Sequence, residues 1–241
     1  MLKVFNLNIE SHKHLDRFPE KINKYAPDVV CLQEVYEIDV KRIKKALGMR
    51  WAWFAPYCII DKKTSWGHPP DGLWGQLLLS NSEGVYGQYY YSGSHVPKPR
   101  TDDPNSVSRM LQWLKLKKGG AKYRVINTHF TWSQSDEYNQ EQIVDFGKMV
   151  TKLDEIPDFL LCGDFNIYRG SRLWDELAGK YTDNIPLKVL STLDPKYFRI
   201  PNVKVVCDGF FTKGDHRVRN IKLVDEISDH FGIAGELVVS S

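Results

Sequence analysis

Twice along this chain an apolar run, an amphipathic stretch closed by a proline and a second apolar run follow one another, and all four apolar runs end in polar residues. In the first unit, residues 3–9 read as a strand. Leu15, Phe18, Ile22 and Tyr25 then recur at the spacing that gives a helix one apolar face. Pro27 ends that helix, and residues 29–32 (Val-Val-Cys-Leu) form a second strand. In the second unit a strand over 123–127 leads to a helix with Ile143, Phe146, Val150 and Leu153 on one face, Pro157 ends it, and 159–162 form a strand. The polar ends are Asn8 with Glu10, Gln33 with Glu34, Asn127 with His129, and Asp164 with Asn166. Four strands that deliver amides, carboxylates and an imidazole to their ends point to a site.

Further strands are expected over 76–80, 109–117, 203–211 and 231–239, with Met110, Gln112, Leu114 and Leu116 sharing a face. A short helix over 173–177 has Ser171 as N-cap and Gly179 as its stop. The Lys41-Arg42 and Lys44-Lys45 pairs read as the wet face of another helix. Two stretches rich in Gly, Pro, Ser and Asp, 61–75 and 92–105, read as loops. Alternating αβ units followed by a run of strands predict an α+β fold: a four-layer α/β/β/α sandwich of two mainly antiparallel sheets with helices outside. With 241 residues and no linker-like segment, a single domain over 1–241 is expected.

Charge excludes little. The formal net charge is +3, which permits a phosphate-bearing substrate without arguing for one. The four cysteines, Cys31, Cys58, Cys162 and Cys207, form no CxxC pair, and three sit in apolar runs, so they read as buried small hydrophobes of a reduced, cytoplasmic protein. No apolar run approaches the ~20 residues that span a bilayer, so no membrane anchor is expected.

Each polar segment has a chemical and an ordinary reading. In Leu160-Leu-Cys-Gly-Asp-Phe-Asn166 the Asp and Asn lie two apart and face one side of an extended chain. That pair suits an oxygen-ligated ion and a positioned water; an Asx turn after a strand is the alternative. Glu34 closes a buried run, which is costly unless the acid is paired or on a metal, although it can equally sit at a strand exit on the surface. His129 follows a buried run and can be a structural histidine. Asp229 and His230 are neighbours and share a site only where a strand is just beginning; the apolar run does start at Phe231. Asp208, inside an apolar stretch, needs a partner such as a protonated His. No G-x-S-x-G elbow supports a serine hydrolase.

The ordered set Asn8, Glu34, Asn-Thr-His129, Gly-Asp-Phe-Asn166, Asp208 and Ser-Asp-His230 resembles the endonuclease/exonuclease/phosphatase (deoxyribonuclease-like) superfamily over nearly the whole chain. The resemblance implies a divalent-metal-dependent phosphoesterase, in first place a phosphodiesterase or nuclease. It implies Glu34 as principal Mg²⁺ ligand (Mn²⁺ a plausible substitute), with Asn8 and Asp229 as direct or water-mediated ligands. Asp164 would orient or deprotonate the attacking water, and Asn166 would hold that water or a phosphate oxygen. His230, oriented by Asp208, would stabilise pentacovalent phosphorus or act as acid or base. His129 would bond a phosphate oxygen, and Arg109 sits where several members carry a phosphate-facing base. Gln76 would support the site through hydrogen bonds, and Glu10 stands where some members have Asp.

Substrate choice is not fixed by the resemblance. Trp66, His68, Trp74 and Trp132 would stack on bases if they rim the site; packing is the alternative. Basic clusters at Lys41–Lys45, at Lys115 with Lys117-Lys118, and at Arg217 with Arg219 would follow a phosphate backbone. A monomer acting on a nucleic-acid phosphoester is the expectation. A phosphomonoesterase, a lipid-headgroup phosphodiesterase, or a binding module on the same scaffold are the alternatives.

Overall fold

Strand parity decides which residues face which layer. In the computed structural model, residues 1–65, 67–103, 105–133 and 139–239 are described. The elements in chain order are β1 (Leu2–Asn8), α1 (Phe18–Asn23), β2 (Val29–Tyr36), α2 (Val40–Ala46), β3 (Trp51–Ile60), β4 (Gly72–Ser80), β5 (Gly84–Ser92) and β6 (Arg109–Lys118). They continue with β7 (Ala121–His129), α3 (Gln140–Asp154), β8 (Phe159–Asp164), α4 (Arg172–Lys180), β9 (Thr182–Asp183), β10 (Asp208–Lys213), β11 (His216–Val224) and β12 (Gly232–Val239).

Two six-stranded sheets result, ordered β11-β12-β1-β2-β4-β3 and β5-β6-β7-β8-β10-β9. Each repeat unit supplies the one parallel pair of its sheet, β1 with β2 and β7 with β8; the other pairings are antiparallel. On the first sheet Val4, Cys31 and Leu78 face the second sheet, whereas Phe5, Leu7, Val30 and Leu32 lie under α1 and α2 with Phe18, Ile22 and Ile43. Phe146, Met149 and Leu153 of α3 and Trp174 and Leu177 of α4 cover the second sheet. This is the expected four-layer sandwich. All four cysteines are buried and free. Among the described residues no helix is long and apolar enough to cross a membrane.

The eight strands legible in the sequence are the eight interior ones. The four that were not, β3, β5, β9 and β11, are the four sheet edges. Edge strands have one neighbour and a half-wet face, so their apolar alternation is diluted and Gly, Pro and bulges are tolerated. Pro56 falls in β3, Gly87 in β5, and β11 shifts register between Arg219 and Lys222. β4 starts at Gly72, inside the stretch expected to be a loop, and β10 starts at Asp208 because 203–207 instead bonds to residues 165, 169 and 192. Ser171 stands at the N-cap of α4 in extended backbone, although its side chain makes no cap bond, and the helix runs through Gly179 to Lys180, so Gly179 is not its stop.

Between the sheets, directly below the strand ends, runs a seam of buried amides. Gln33 Nε2 donates to Asn6 Oδ1 (2.9 Å) and to Asn127 Oδ1 (2.6 Å), and Asn127 Nδ2 donates to Leu32 O (3.2 Å). Gln76 Nε2 donates to Asn127 O at 3.2 Å, so Gln76 braces this seam. These bonds link β1 and β2 of one sheet to β7 of the other, although Asn6 Nδ2 and Gln33 Oε1 are buried without a partner among the described residues.

Gly163 lets β8 pass close to β7. At its φ of +151° a Cβ would stand 1.9 Å from Thr128 O. Gly163→Ala should therefore destabilise the fold by roughly 3 kcal/mol, the upper end of overpacking costs. A denaturant melt with an unchanged midpoint would show that β7 and β8 separate without cost.

Candidate active site

Four C-terminal strand ends (β1, β2, β7, β8) and three N-terminal ends (β6, β10, β12) meet at one edge of the sandwich. They enclose a cleft of about 1080 Å³ lined by Asn8, Glu34, His129, Asp164, Asp229 and His230, among others. Register accounts for the convergence: His129 pairs with Asp164 across β7–β8, and Asp164 with Asp208 across β8–β10. β12 runs antiparallel to β1, so the Asp229-His230 pair just before it arrives at the edge where β1 ends. Non-glycine residues with positive φ cluster here: Glu10 (50°), Ser11 (62°), Glu34 (61°) and Asn166 (49°). At Glu34 the β2–β4 ladder shifts register between Leu32 and Val35, a bulge that re-aims one side chain out of the strand.

Asp164 sits at the centre, 3% exposed. Its Oδ1 accepts from Asn166 N (2.9 Å), the Asx turn of the ordinary reading. Its Oδ2 accepts from Asn8 Nδ2 (3.1 Å) and lies 3.6 Å from His129 Nε2 and 3.8 Å from His230 Nε2. Turn and site are thus the same structure. Burial pushes the Asp164 carboxyl up to about 6, against the pull of His230. Asn166 Nδ2 donates to Phe130 O (2.8 Å), which holds the amide at the cleft wall.

The two histidines beside Asp164 differ in charge: one is neutral and the other a cation. Burial, with Arg109 next to it, drives the His129 imidazole well below its usual range, so it is neutral. His230 is also buried, but the Asp208 carboxylate, 2.8 Å from Nδ1, and then Asp164 hold it well above the usual value. Nδ1 is committed to Asp208, so the imidazolium turns Nε2–H toward the cleft. Segment 192–194 clamps this pair. Thr192 Oγ1 accepts from Cys207 N and Asp208 N (3.1 Å each), Thr192 O accepts from Phe231 N (2.7 Å), and Leu193 bridges His230. Nothing in the sequence singled out Thr192.

Glu34 and Asp229 face the same cleft as Asp164, and burial raises both; Asp229 reaches about 6. Neither forms an ion pair among the described residues: Glu34 accepts only from Asn8 Nδ2 (3.1 Å), and Asp229 from Ser228 Oγ (3.1 Å). Carboxylates gathered out of water without a cation are costly, and a hard divalent cation fits that deficit. The Asn8 amide presents nitrogen to Glu34 and Asp164, with its Oδ1 held by Glu10 N at 3.1 Å. It therefore orients the two acids as it stands. Asp164, Cys207 and His230 also bring donor atoms within 4.8 Å of one another. This trio suits a hard ion poorly: burial pushes the Cys207 thiol up to about 12, and His230 carries a proton.

Other expected residues sort cleanly. Arg109 is buried on the cleft wall, donating from Nη1 to His129 O at 3.3 Å. Glu10 is taken up by Lys13 and His14 at the rim, away from the Glu34 pairings. Trp74 also lines the cleft but is packed in place, 2% exposed, with Nε1 donating to Ser11 Oγ. Trp132 and His68 do line the cleft; Trp66 lies outside the described residues. None of the three basic clusters does, since Lys115–Lys118 and Arg217–Arg219 lie at the opposite ends of their strands. The cleft's own cations include Arg100, Arg109 and Lys63; of these the sequence singled out Arg109 alone.

The sequence profile of the Endonuclease/Exonuclease/phosphatase family matches residues 4–230. No curated protein sequence matches the chain. The chain is similar in fold to an endonuclease/exonuclease/phosphatase from Bacteroides vulgatus (TM-score 0.74, 18% identity, 99% of each chain covered). It is also similar to a mannosyl-6-phosphatase from Bacteroides thetaiotaomicron (TM-score 0.69, 17% identity, 99% of this chain and 100% of that one). The human Nocturnin catalytic domain, solved with a bound sulfate anion, is a third (TM-score 0.70, 16% identity, 99% of this chain and 93% of that one).

Proposed function

We propose that this chain, which belongs to the endonuclease/exonuclease/phosphatase family, hydrolyses a phosphoester by in-line attack of water in the cleft around Asp164, with the 241 residues acting as one domain. The observation that carries this reading is Asp164 set between a neutral His129 and an Asp208-bound imidazolium of His230, facing two further carboxylates that form no ion pair among the described residues. Family members are hydrolases acting on phosphoesters.

Each residue then has a task its geometry supports. Asp164 takes a proton from water, which Asn166 and the Asp164 carboxylate hold in place; with its carboxyl near 6 it is largely ionised at neutral pH. His230 Nε2–H points where charge builds on phosphorus oxygens and is the proton source for the departing alkoxide. Asp208 fixes the tautomer and the ring. His129 and Arg109 meet a non-bridging oxygen. A divalent cation, Mg²⁺ or Mn²⁺, held by Glu34 and Asp229 with Asn8 alongside, supplies charge neutralisation when bound.

Nucleic acid remains a candidate substrate, supported by Trp132 on the cleft wall rather than by the remote basic clusters. A phosphomonoester is the second reading, favoured by one observation: an unpaired buried arginine at the cleft, described below.

Titration of Mg²⁺ into wild type and Glu34→Gln tests the reading. Wild type should gain about 2.7 kcal/mol of stability at a hundredfold excess over Kd, a shift of several degrees in Tm. Glu34→Gln should lose most of that shift and the metal dependence of turnover. Its metal-free Tm should not fall, because the glutamine removes a carboxylate whose ionisation burial opposes. An unchanged Mg²⁺ response would remove Glu34 from the metal site.

A further inference from the structure

Residues 93–108 connect β5 to β6, and part of this stretch lies as an added strand along the end of β3. Ile59 N donates to Lys98 O (2.9 Å), Arg100 N donates to Ile59 O (2.8 Å), and Ile59 bridges Pro99. This short ladder fixes the Arg100 backbone and directs its side chain inward, where the residue is only 7% exposed. Its guanidinium lies over the Trp74 ring, 5.0 Å from the centroid, on the Glu34 side of the cleft.

Among the described residues Arg100 has no ion pair within 4.0 Å and no side-chain hydrogen bond, and its Nε and Nη1 are buried without an acceptor. Arg169 shows what a part-buried structural arginine of this fold does. It donates to both the Asp183 carboxylate and the carbonyls of Ile185, Pro186 and Val189. Arg109 resembles Arg100 instead: 3% exposed, over Tyr57 at 5.7 Å, with a buried Nε that has no acceptor. Tyr57 and Trp74 touch edge-on at 5.2 Å, so the two guanidiniums stand on the two rings of one aromatic pair. The His129 ring, whose buried Nδ1 also has no partner among the described residues, lies against the same rings. A buried guanidinium left unpaired is costly and is explained where an anion completes it; its planar fork matches phosphate oxygens.

We propose that Arg100 and Arg109 form a two-guanidinium cradle for a terminal phosphate, and that Arg100 selects a phosphomonoester over a phosphodiester. The proposal rests on the phosphoesterase reading of this cleft. A diester offers one negative charge and two non-bridging oxygens, which Arg109, His129 and the cation that Glu34 would hold can serve. A monoester adds a third oxygen and a second charge, and Arg100 is the buried cation beside Arg109 that can meet them. The remaining cleft, out of about 1080 Å³, holds an alcohol of sugar or nucleoside size.

The test compares wild type, Arg100→Met and Arg100→Lys on p-nitrophenyl phosphate and bis(p-nitrophenyl) phosphate with MgCl₂. Calorimetric binding of inorganic phosphate and of dimethyl phosphate is measured in parallel at mildly alkaline pH, where inorganic phosphate is a dianion. Wild type should prefer the monoester. Arg100→Met should lower kcat/KM on it by about 100-fold, the scale of lost charge-assisted hydrogen bonds, and on the diester by less than about 3-fold on the same scale. It should weaken inorganic phosphate but not dimethyl phosphate, and Arg100→Lys should restore part of the loss. The metal-free Tm of Arg100→Met should not drop, since an uncompensated buried charge has been removed while packing on Trp74 is kept. A diester preference in wild type, equal losses on both esters, or a sharp fall in Tm with unchanged phosphate affinity overturns the cradle. If neither ester is cleaved yet phosphate still distinguishes wild type from Arg100→Met, the hydrolase reading fails and the cradle stands. If cleavage is metal-dependent but its ester preference ignores Arg100, the reverse holds.

Discussion

Asp164→Asn should lower kcat by about 10³-fold or more, the scale of losing a general base together with a key electrostatic group, while the fold stays intact. The amide keeps the shape of the carboxylate and its Asx turn to Asn166 N, but it cannot take a proton from water. The stability sign follows from the raised carboxyl. Its folded value of about 6 exceeds the ordinary 3.8, so this group binds more protons folded than unfolded between those values, and wild type loses stability as pH rises through that window. Above about 6 the ionised group is a burden, and Asp164→Asn should melt no lower than wild type there. Activity should run the other way, falling as pH drops through about 6 and the base is protonated. Near-normal turnover in Asp164→Asn would remove this residue from the mechanism.

His230→Ala should cost turnover on a similar scale, about 10³-fold, but its stability consequence differs. Asp208 is fully buried and His230 Nδ1 lies 2.8 Å from its Oδ2. Deleting the imidazolium strands a buried carboxylate, a loss of about 3–5 kcal/mol when one partner of a buried pair is removed. The single variant thus mixes chemistry with folding. The double variant His230→Ala with Asp208→Asn separates them: stability should return in large part and activity should not. The raised His230 value adds a pH signature. Its stabilising contribution is complete below the ordinary histidine value near 6.5 and is lost as pH rises through the folded value, on the alkaline side. Wild type should therefore lose stability at alkaline pH more steeply than the double variant. A double variant that recovers turnover along with stability would make His230 a structural residue.

The interior of the sandwich was legible because inner strands such as β2 and β8 are buried on both faces and announce themselves as apolar runs, as in Val29–Leu32 and Phe159–Cys162, while β6 shows alternation. The convergence of the candidate site was legible for the same reason: a polar residue at the end of such a run has few places to go other than the sheet edge. Asn8, Glu34, His129, Asp164, Asp208, Asp229 and His230 do meet there. The illegible parts depend on contacts between segments distant in sequence. Edge strands β3, β5, β9 and β11 owe their extended form to one neighbour rather than to their own pattern. Thr192 acts by clamping Cys207, Asp208 and Phe231, and no local spacing marks a residue for that. Arg100 stands in a stretch with no periodicity, and only its pairing with Ile59 makes it a buried cation. The basic clusters erred in the opposite sense: a run of like charge marks a solvated surface, and the strand direction that puts it far from the cleft is invisible until the sheet is assembled.

The most direct measurement is hydrolysis of a phosphoester panel by the metal-free chain before and after MgCl₂ is added, with Asp164→Asn alongside. The panel holds single- and double-stranded DNA, an abasic-site duplex, RNA, a 5′-tyrosyl oligonucleotide, sphingomyelin, an inositol polyphosphate and sugar and nucleoside monophosphates. The expected result is cleavage of at least one member that starts only with Mg²⁺ and is absent in Asp164→Asn. No metal-dependent cleavage of any member, together with no rise in Tm on adding Mg²⁺, would contradict a metal-assisted phosphoesterase at this cleft.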